Sequence, residues 1–298
     1  MSKTREILTV VTVLISGLLL LVPTNMNAQK TVKLWEGNPP TDNKLTGNDV
    51  VERNGTWISN ISVPEMYIYS PDKAKNNGMA VLICPGGGYA GVAISHEGHQ
   101  IAQWLNTLGI TGIVLKYRMP NKHKDVPLED VHQAMRYIRS NASELGININ
   151  KVGIAGSSAG GHLAATASNR YATSGISTRP DFSILFYPVI TMGADTHGGS
   201  KNNLLGDNPS ISELHQYSIE KQVNANTPPA ILLLSDDDKT VLPINSTMYY
   251  NALKDNGIDA TMYIFPEGGH GWGMGEGFKY HKQMTNLLEM WLKKIEGK

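Results

Sequence analysis

Short apolar runs recur along the chain and alternate with longer stretches in which apolar residues return at helical spacing. The runs are Met79 to Pro85, Gly112 to Tyr117, Lys151 to Gly156, Phe182 to Pro188, Ala230 to Ser235 and Ala260 to Phe265. Glu65 to Pro71 alternates instead and predicts an edge strand. Helical periodicity covers His99 to Leu108, Leu128 to Leu145, Ala159 to Asn169, Pro243 to Asp255 and Phe278 to Ile295. Strands that are apolar on both faces, each followed by a helix, need a sheet covered on both sides. The predicted fold class is α/β, with a mostly parallel central sheet flanked by helices.

Two stretches break this rhythm. Residues 29–62 are rich in Asn, Thr, Gly and Pro and read as an extended arm feeding the first strands. Thr191 to Asn226 begins with Gly, Asn and Ser and ends in a short helix expected at Ser212 to Val223. An insertion of that length between strands suits a lid or pocket wall.

The first residues differ in kind. Lys3 and Arg5 precede an apolar run from Ile7 to Val22, and Ala28 closes a short polar stretch. This pattern predicts a signal peptide cleaved after Ala28, and therefore an exported protein, periplasmic or secreted. An uncleaved anchor would need a longer apolar span. Residues 29–298 are then expected to form one domain, with no membrane association after cleavage. Cys84 is the sole cysteine, so no internal disulfide can form. The 298 residues carry 26 basic and 26 acidic side chains without a charged run, which argues against nucleic acid as a partner.

The chemistry centres on "GSSAG", Gly156 to Gly160, which sits between an apolar strand and a helix and fits G-x-S-x-G. In that frame Ser158 is the nucleophile, because Gly156 and Gly160 let strand and helix pass closely. Ser157 would be flanked by Ala155 and Ala159, whose Cβ atoms crowd the turn. Read alone, the pentapeptide could also be a simple glycine turn.

A serine hydroxyl needs a histidine base, and the base needs an orienting acid. "GGHGWG" places His270 in a glycine-lined loop after the last predicted strand, and "SDDDKT" offers Asp236, Asp237 and Asp238 after the strand before it. Asp238 is favoured over Asp237, and any of the three could instead be a solvated turn residue near a helix N-terminus. "CPGGGY" follows an earlier strand, where Gly87 and Gly88, with Ala159, would offer backbone N–H groups to an oxyanion. Three glycines could also suit a phosphate, but no Gly-Lys-Ser/Thr tail follows. Tyr89 and Trp272 are expected to line a pocket and contact substrate.

Other polar residues receive plainer readings. The spacing of His96, Glu97 and His99 matches no zinc-hydrolase signature, and no metal is expected. Glu97 is read as capping a helix near Gly98 or pairing with Arg118, His162 as a packed histidine, and His197 as a surface histidine in preference to one that touches substrate.

With these motifs in place, from Met79 onward the chain resembles the α/β-hydrolases, and more narrowly the small exported bacterial esterases grouped with acetylxylan esterases. "CPGGGY", "GIAGSSAGGHLA", "DDDKTVLPINS" and "GGHGWG" carry the resemblance. It implies a cofactor-free serine esterase that removes acetyl groups from xylan-type polysaccharides or oligosaccharides. A feruloyl esterase, a peptidase resembling the catalytic domain of prolyl oligopeptidases, and a non-catalytic carbohydrate-binding protein remain alternatives.

Overall fold

In chain order, the first elements are strands Lys30–Lys33 (β1), Val50–Glu52 (β2), Trp57–Ser59 (β3), Glu65–Tyr69 (β4), Ala80–Cys84 (β5) and Gly91–Val92 (β6). They are followed by Gln100–Thr107 (α1), Thr111–Lys116 (β7), Val126–Ser140 (α2), Ala142–Leu145 (α3), Val152–Ser157 (β8) and Ser158–Asn169 (α4). The last are Ser183–Phe186 (β9), Gly198–Leu205 (α5), Ile211–Tyr217 (α6), Ala230–Ser235 (β10), Ile244–Asp255 (α7), Ala260–Phe265 (β11) and His281–Glu296 (α8). These come from a computed structural model that describes residues 29–297. The expected signal segment, residues 1–28, lies outside the described residues.

Among the described residues, eight strands form the main sheet in the order β1-β4-β7-β5-β8-β9-β10-β11. From β7 to β11 every pairing is parallel, while β1 and β4 join antiparallel. All residues of β5, β7, β8 and β10 are buried, which is why they read as unbroken apolar runs. Burial of side chains such as Leu82, Ile113 and Ile154 contributes about 1.5–3 kcal/mol each. Helices pack closely where glycine permits: a Cβ on Gly112 of β7 would lie 2.5 Å from Ala102 Cα of α1.

The arm is more structured than its composition indicates. Its β1 pairs outside β4, so β4 is an inner strand and not the edge expected for it. The four residues of β1, "KTVK", are mostly exposed and supply main-chain bonds with little apolar burial. A separate small sheet, β2-β3-β6, joins the arm to the loop after β5. Trp35 Nε1 donates to Asp130 Oδ1 at 2.8 Å, and Thr41 bonds Glu129 and accepts from Arg118. The arm is thereby fastened to the buried Arg118–Asp130 ion pair of 2.8 Å.

Boundaries move for local reasons. The helix expected over Leu128 to Leu145 starts at Val126 and breaks at Asn141, whose φ of −104° and ψ of 14° end α2. The expected Phe278 start of the last helix fails because Phe278 stacks on Trp272, with ring centroids 4.2 Å apart, and α8 begins at His281. In the insertion two helices form, α5 and α6, where one was expected. A capping box between Ser210 and Glu213 starts α6.

Candidate active site

The loops after β5, β8, β10 and β11 meet at the carboxyl ends of the strands. Ser158 sits on the turn from β8 into α4 with φ of 54°, a left-handed conformation that a serine adopts only under constraint. Its flanking glycines explain how the turn closes. A Cβ on Gly156 would lie 2.1 Å from Gly160 O, and one on Gly160 would lie 2.0 Å from Cys84 O. Ser157, one residue earlier, is fully buried beside Tyr187.

Ser158 Oγ lies 2.8 Å from His270 Nε2, and His270 Nδ1 lies 2.7 Å from Asp238 Oδ2. A carboxylate can only accept, so Nδ1 carries the proton and Nε2 faces the serine hydroxyl as an acceptor. Asp238 is 2% exposed, and its other oxygen accepts from the N–H groups of Thr240 and Val241 at 2.9 and 3.0 Å. The neighbouring Asp237 is exposed and takes a different partner, accepting from Gly269 N–H at 2.7 Å. That bond holds its carboxyl below the usual range and ties down the residue before His270. Asp236 is exposed and lies outside this group.

Gly87 and Gly88 form a turn with φ of 143° and 63°. Their N–H groups have no acceptor among the described residues, whereas Gly86 N–H is taken by Glu97. Ala159 N–H belongs to the first turn of α4, where no intrahelical acceptor exists and the helix dipole favours negative charge. The three donors assigned from the sequence therefore include no group already committed.

Tyr89 is not a pocket residue. It is 3% exposed, and its hydroxyl meets His162 Nδ1 at 2.8 Å in the interior. Trp272 is 7% exposed, held by a bond to Ser235 Oγ and by stacking on Phe278, and only its margin reaches a cleft beside the histidine loop. The aromatic residues that flank the motifs thus brace the loops from behind.

Several polar residues stand elsewhere than expected. Glu97 neither caps a helix nor pairs with Arg118, which is engaged by Asp130 and Glu129. It is 3% exposed and bonds Gly86 N–H and the Tyr187 hydroxyl. His99 turns away to Tyr69 Oη at 2.8 Å. His197 is half-buried and not freely exposed: a Cβ on Gly88 would approach its ring to 3.8 Å. Ser200 N–H donates to His197 Nδ1 at 3.3 Å, leaving the ring proton on Nε2. Burial, then the nearby His270, lowers the His197 pKa, so its neutral form is favoured. In the same insertion, Asn203 Nδ2 donates to Gly88 O at 2.8 Å, so α5 rests on the glycine turn. No spacing rule in the sequence links residues 197 and 203 to Gly88; only the packing of the insertion does.

Taken together, the sheet order, the strained serine turn and the Ser158–His270–Asp238 chain define an α/β-hydrolase. A family model described as BD-FAE matches residues 66–253, and the chain belongs to that family. Among individual proteins it is similar to an acetylxylan esterase of Xylanibacter ruminicola, with 39% identity over 80% of this chain and 50% of the relative. Endo-1,4-beta-xylanase B of Butyrivibrio fibrisolvens is 40% identical over 70% of this chain and 34% of that protein. The chain thus spans half or less of the length of these two relatives. Among solved structures, an acetyl ester-xyloside bifunctional hydrolase from Caldicellulosiruptor lactoaceticus superposes with a TM-score of 0.78 at 34% identity. That match covers 89% of this chain and 96% of the other.

Proposed function

We propose that the protein is a serine carboxylesterase that removes acetyl groups from xylan-type polysaccharides or oligosaccharides. The observation that carries this reading is the hydrogen-bonded chain from Ser158 through His270 to Asp238, 2.8 and 2.7 Å long in its two steps. The names of the acetylxylan esterase and acetyl ester-xyloside hydrolase relatives support the substrate class.

Ser158 Oγ attacks the acetyl carbonyl carbon while His270 Nε2 takes the hydroxyl proton. The N–H groups of Gly87, Gly88 and Ala159 stabilise the negative oxygen that develops. Asp238 holds the ring and offsets the imidazolium charge. His270 then returns the proton to the departing sugar oxygen, leaving an acetyl-serine. A water activated by His270 attacks that ester, and acetate leaves. No step requires a cofactor.

Export of the protein, with residues 1–28 as a cleaved signal and residues 29–298 acting as one catalytic unit, belongs to the same proposal. Edman or mass analysis of the mature N-terminus should begin at Gln29. For the activity, acetate, ferulate and peptide release should be measured side by side on acetylated xylan, a feruloylated arabinoxylan and a proline-containing peptide. Acetate release dominates if the proposal is right; dominant ferulate or peptide release would replace it.

A further inference from the structure

Glu97 is a buried carboxylate with no Lys or Arg bonded to it among the described residues. Burying such a group costs several kcal/mol unless hydrogen bonds satisfy it. An apolar side chain could fill the same space at lower cost, so what the carboxylate supplies is its two acceptors. The turn that carries it, Ser95–His99, is wound as a π-helix, a rare form that is frequent at functional sites.

Its bonds reach two separate loops. Oε2 accepts from Gly86 N–H at 2.7 Å, directly before the Gly87–Gly88 turn. Oε1 accepts from the Tyr187 hydroxyl at 2.8 Å, and the Tyr187 oxygen in turn accepts from Gly273 N–H at 2.6 Å, three residues beyond His270. Tyr187 also lies edge-on to the His270 ring, with centroids 4.7 Å apart. A second tie runs from Met274 N–H to His96 O at 2.8 Å. Space is tight on both sides: a Cβ on Gly86 would lie 2.5 Å from Glu97 Oε2, and one on Gly273 would lie 3.1 Å from Glu97 Cγ.

We propose that Glu97 and Tyr187 form a positioning pair that clamps the glycine turn to the histidine loop, keeping Gly87, Gly88 and His270 in a single working geometry. The proposal rests on the serine esterase reading above. Neither residue touches the substrate; each acts through the groups it holds. Misplacement of about 1 Å at such groups costs on the order of a hundredfold in rate.

Glu97→Gln tests the clamp with almost no change of shape. Gly86 N–H needs an acceptor and an amide has one acceptor oxygen, so the amide NH2 is left facing Tyr187, whose O–H loses its carboxylate acceptor. Tyr187→Phe removes the hydroxyl bonds to Glu97 and Gly273 together. Each variant should lower kcat on an activated acetyl ester by about 10- to 100-fold while KM stays within about threefold. Because both break one chain, the double variant should lose no more than the weaker single, not the product of the two losses. Hydrogen exchange should quicken together in segments 85–92 and 266–275 in each variant. Single variants with kcat within about twofold of the parent would overturn the clamp, as would losses that multiply in the double variant. Faster exchange in one segment without the other would overturn it too. If the parent releases no acetate, the esterase reading fails, and the paired exchange measurement still decides the clamp. Should Glu97→Gln fail to fold, Tyr187→Phe carries the same measurements.

Discussion

At Ser158 the chain accepts a left-handed backbone and, in return, presents its hydroxyl 2.8 Å from His270 Nε2. Its neighbour Ser157 has the same chemistry and none of that geometry. Ser158→Ala should therefore lower hydrolysis of an activated acetyl ester by at least about a thousandfold, while Ser157→Ala keeps most of it, as initial rates will show. Equal losses would contradict the assignment. Asp238 and Asp237 separate in a similar way, since one meets the imidazole and the other meets Gly269 N–H. Asp238→Asn should cost about 10³- to 10⁴-fold in kcat, because an amide no longer enforces the correct tautomer. Asp237→Asn retains an acceptor for Gly269 and should cost under about tenfold.

What could be read in advance at this scale depended on how local the signal was. The choice between the serines follows from the glycines two positions away, whose missing Cβ atoms are a steric requirement. Three consecutive aspartates carry no such mark, because the turn after β10 decides which carboxylate points inward. The surroundings of Glu97 and His197 carry no local mark, because the partners of Glu97 lie 11 and 90 positions away and His197 meets Gly88 across the insertion.

Among elements, the apolar strands declared themselves because both faces are buried. The mostly exposed β1 and β2 and the half-buried β3 did not, since they rely on pairing more than on burial. The junction of β8 and α4 is the most constrained of these elements. Gly160→Ala would bring a Cβ against the Cys84 and Pro85 carbonyls and should destabilise the protein by about 1–3 kcal/mol or more, with activity reduced. Gly277→Ala, with open space around it, should stay within about 0.5 kcal/mol in the same thermal unfolding series.

Helix α4 also carries a pH dependence. His162 lies between the Tyr89 hydroxyl and Tyr217 O, and burial lowers its pKa from 6.5 to about 4. The unfolded chain takes up this proton below about pH 6.5 and the folded chain does not until about pH 4. Stability is therefore full above pH 6.5 and is lost as pH falls toward 4, by on the order of 3 kcal/mol from this group. Burial lowers His99 and His132 in the same direction. Urea unfolding of His162→Gln between pH 7 and 4 should show a shallower loss than the parent; an unchanged slope would remove His162 from the account.

For the whole molecule, strand order is what the linear pattern could not supply. After β5 the chain crosses to β7 on one side, and after β8 it proceeds to β9 on the other. The switch in direction opens a crevice at the carboxyl ends of β5 and β8, where open α/β sheets bind ligands. There Gly86 of the glycine loop packs on Ser158, a Cβ on it lying 2.9 Å from Ser158 Cβ, while the loops after β10 and β11 deliver Asp238 and His270. The insertion reaches the glycine turn through Asn203 and His197 against Gly88. Composition announced the insertion as irregular, but only the packed fold places it over the glycine turn.

The proposed reaction moves an acetyl group from a sugar hydroxyl to Ser158 and then to water. Its most direct test is acetate released from acetylated xylan oligosaccharides by the protein and by its Ser158→Ala variant, at equal concentration and confirmed fold. The account predicts steady acetate release by the parent and none above the uncatalysed rate by the variant. Release that persists in Ser158→Ala, or no release by a folded parent across acetylated substrates, would contradict it.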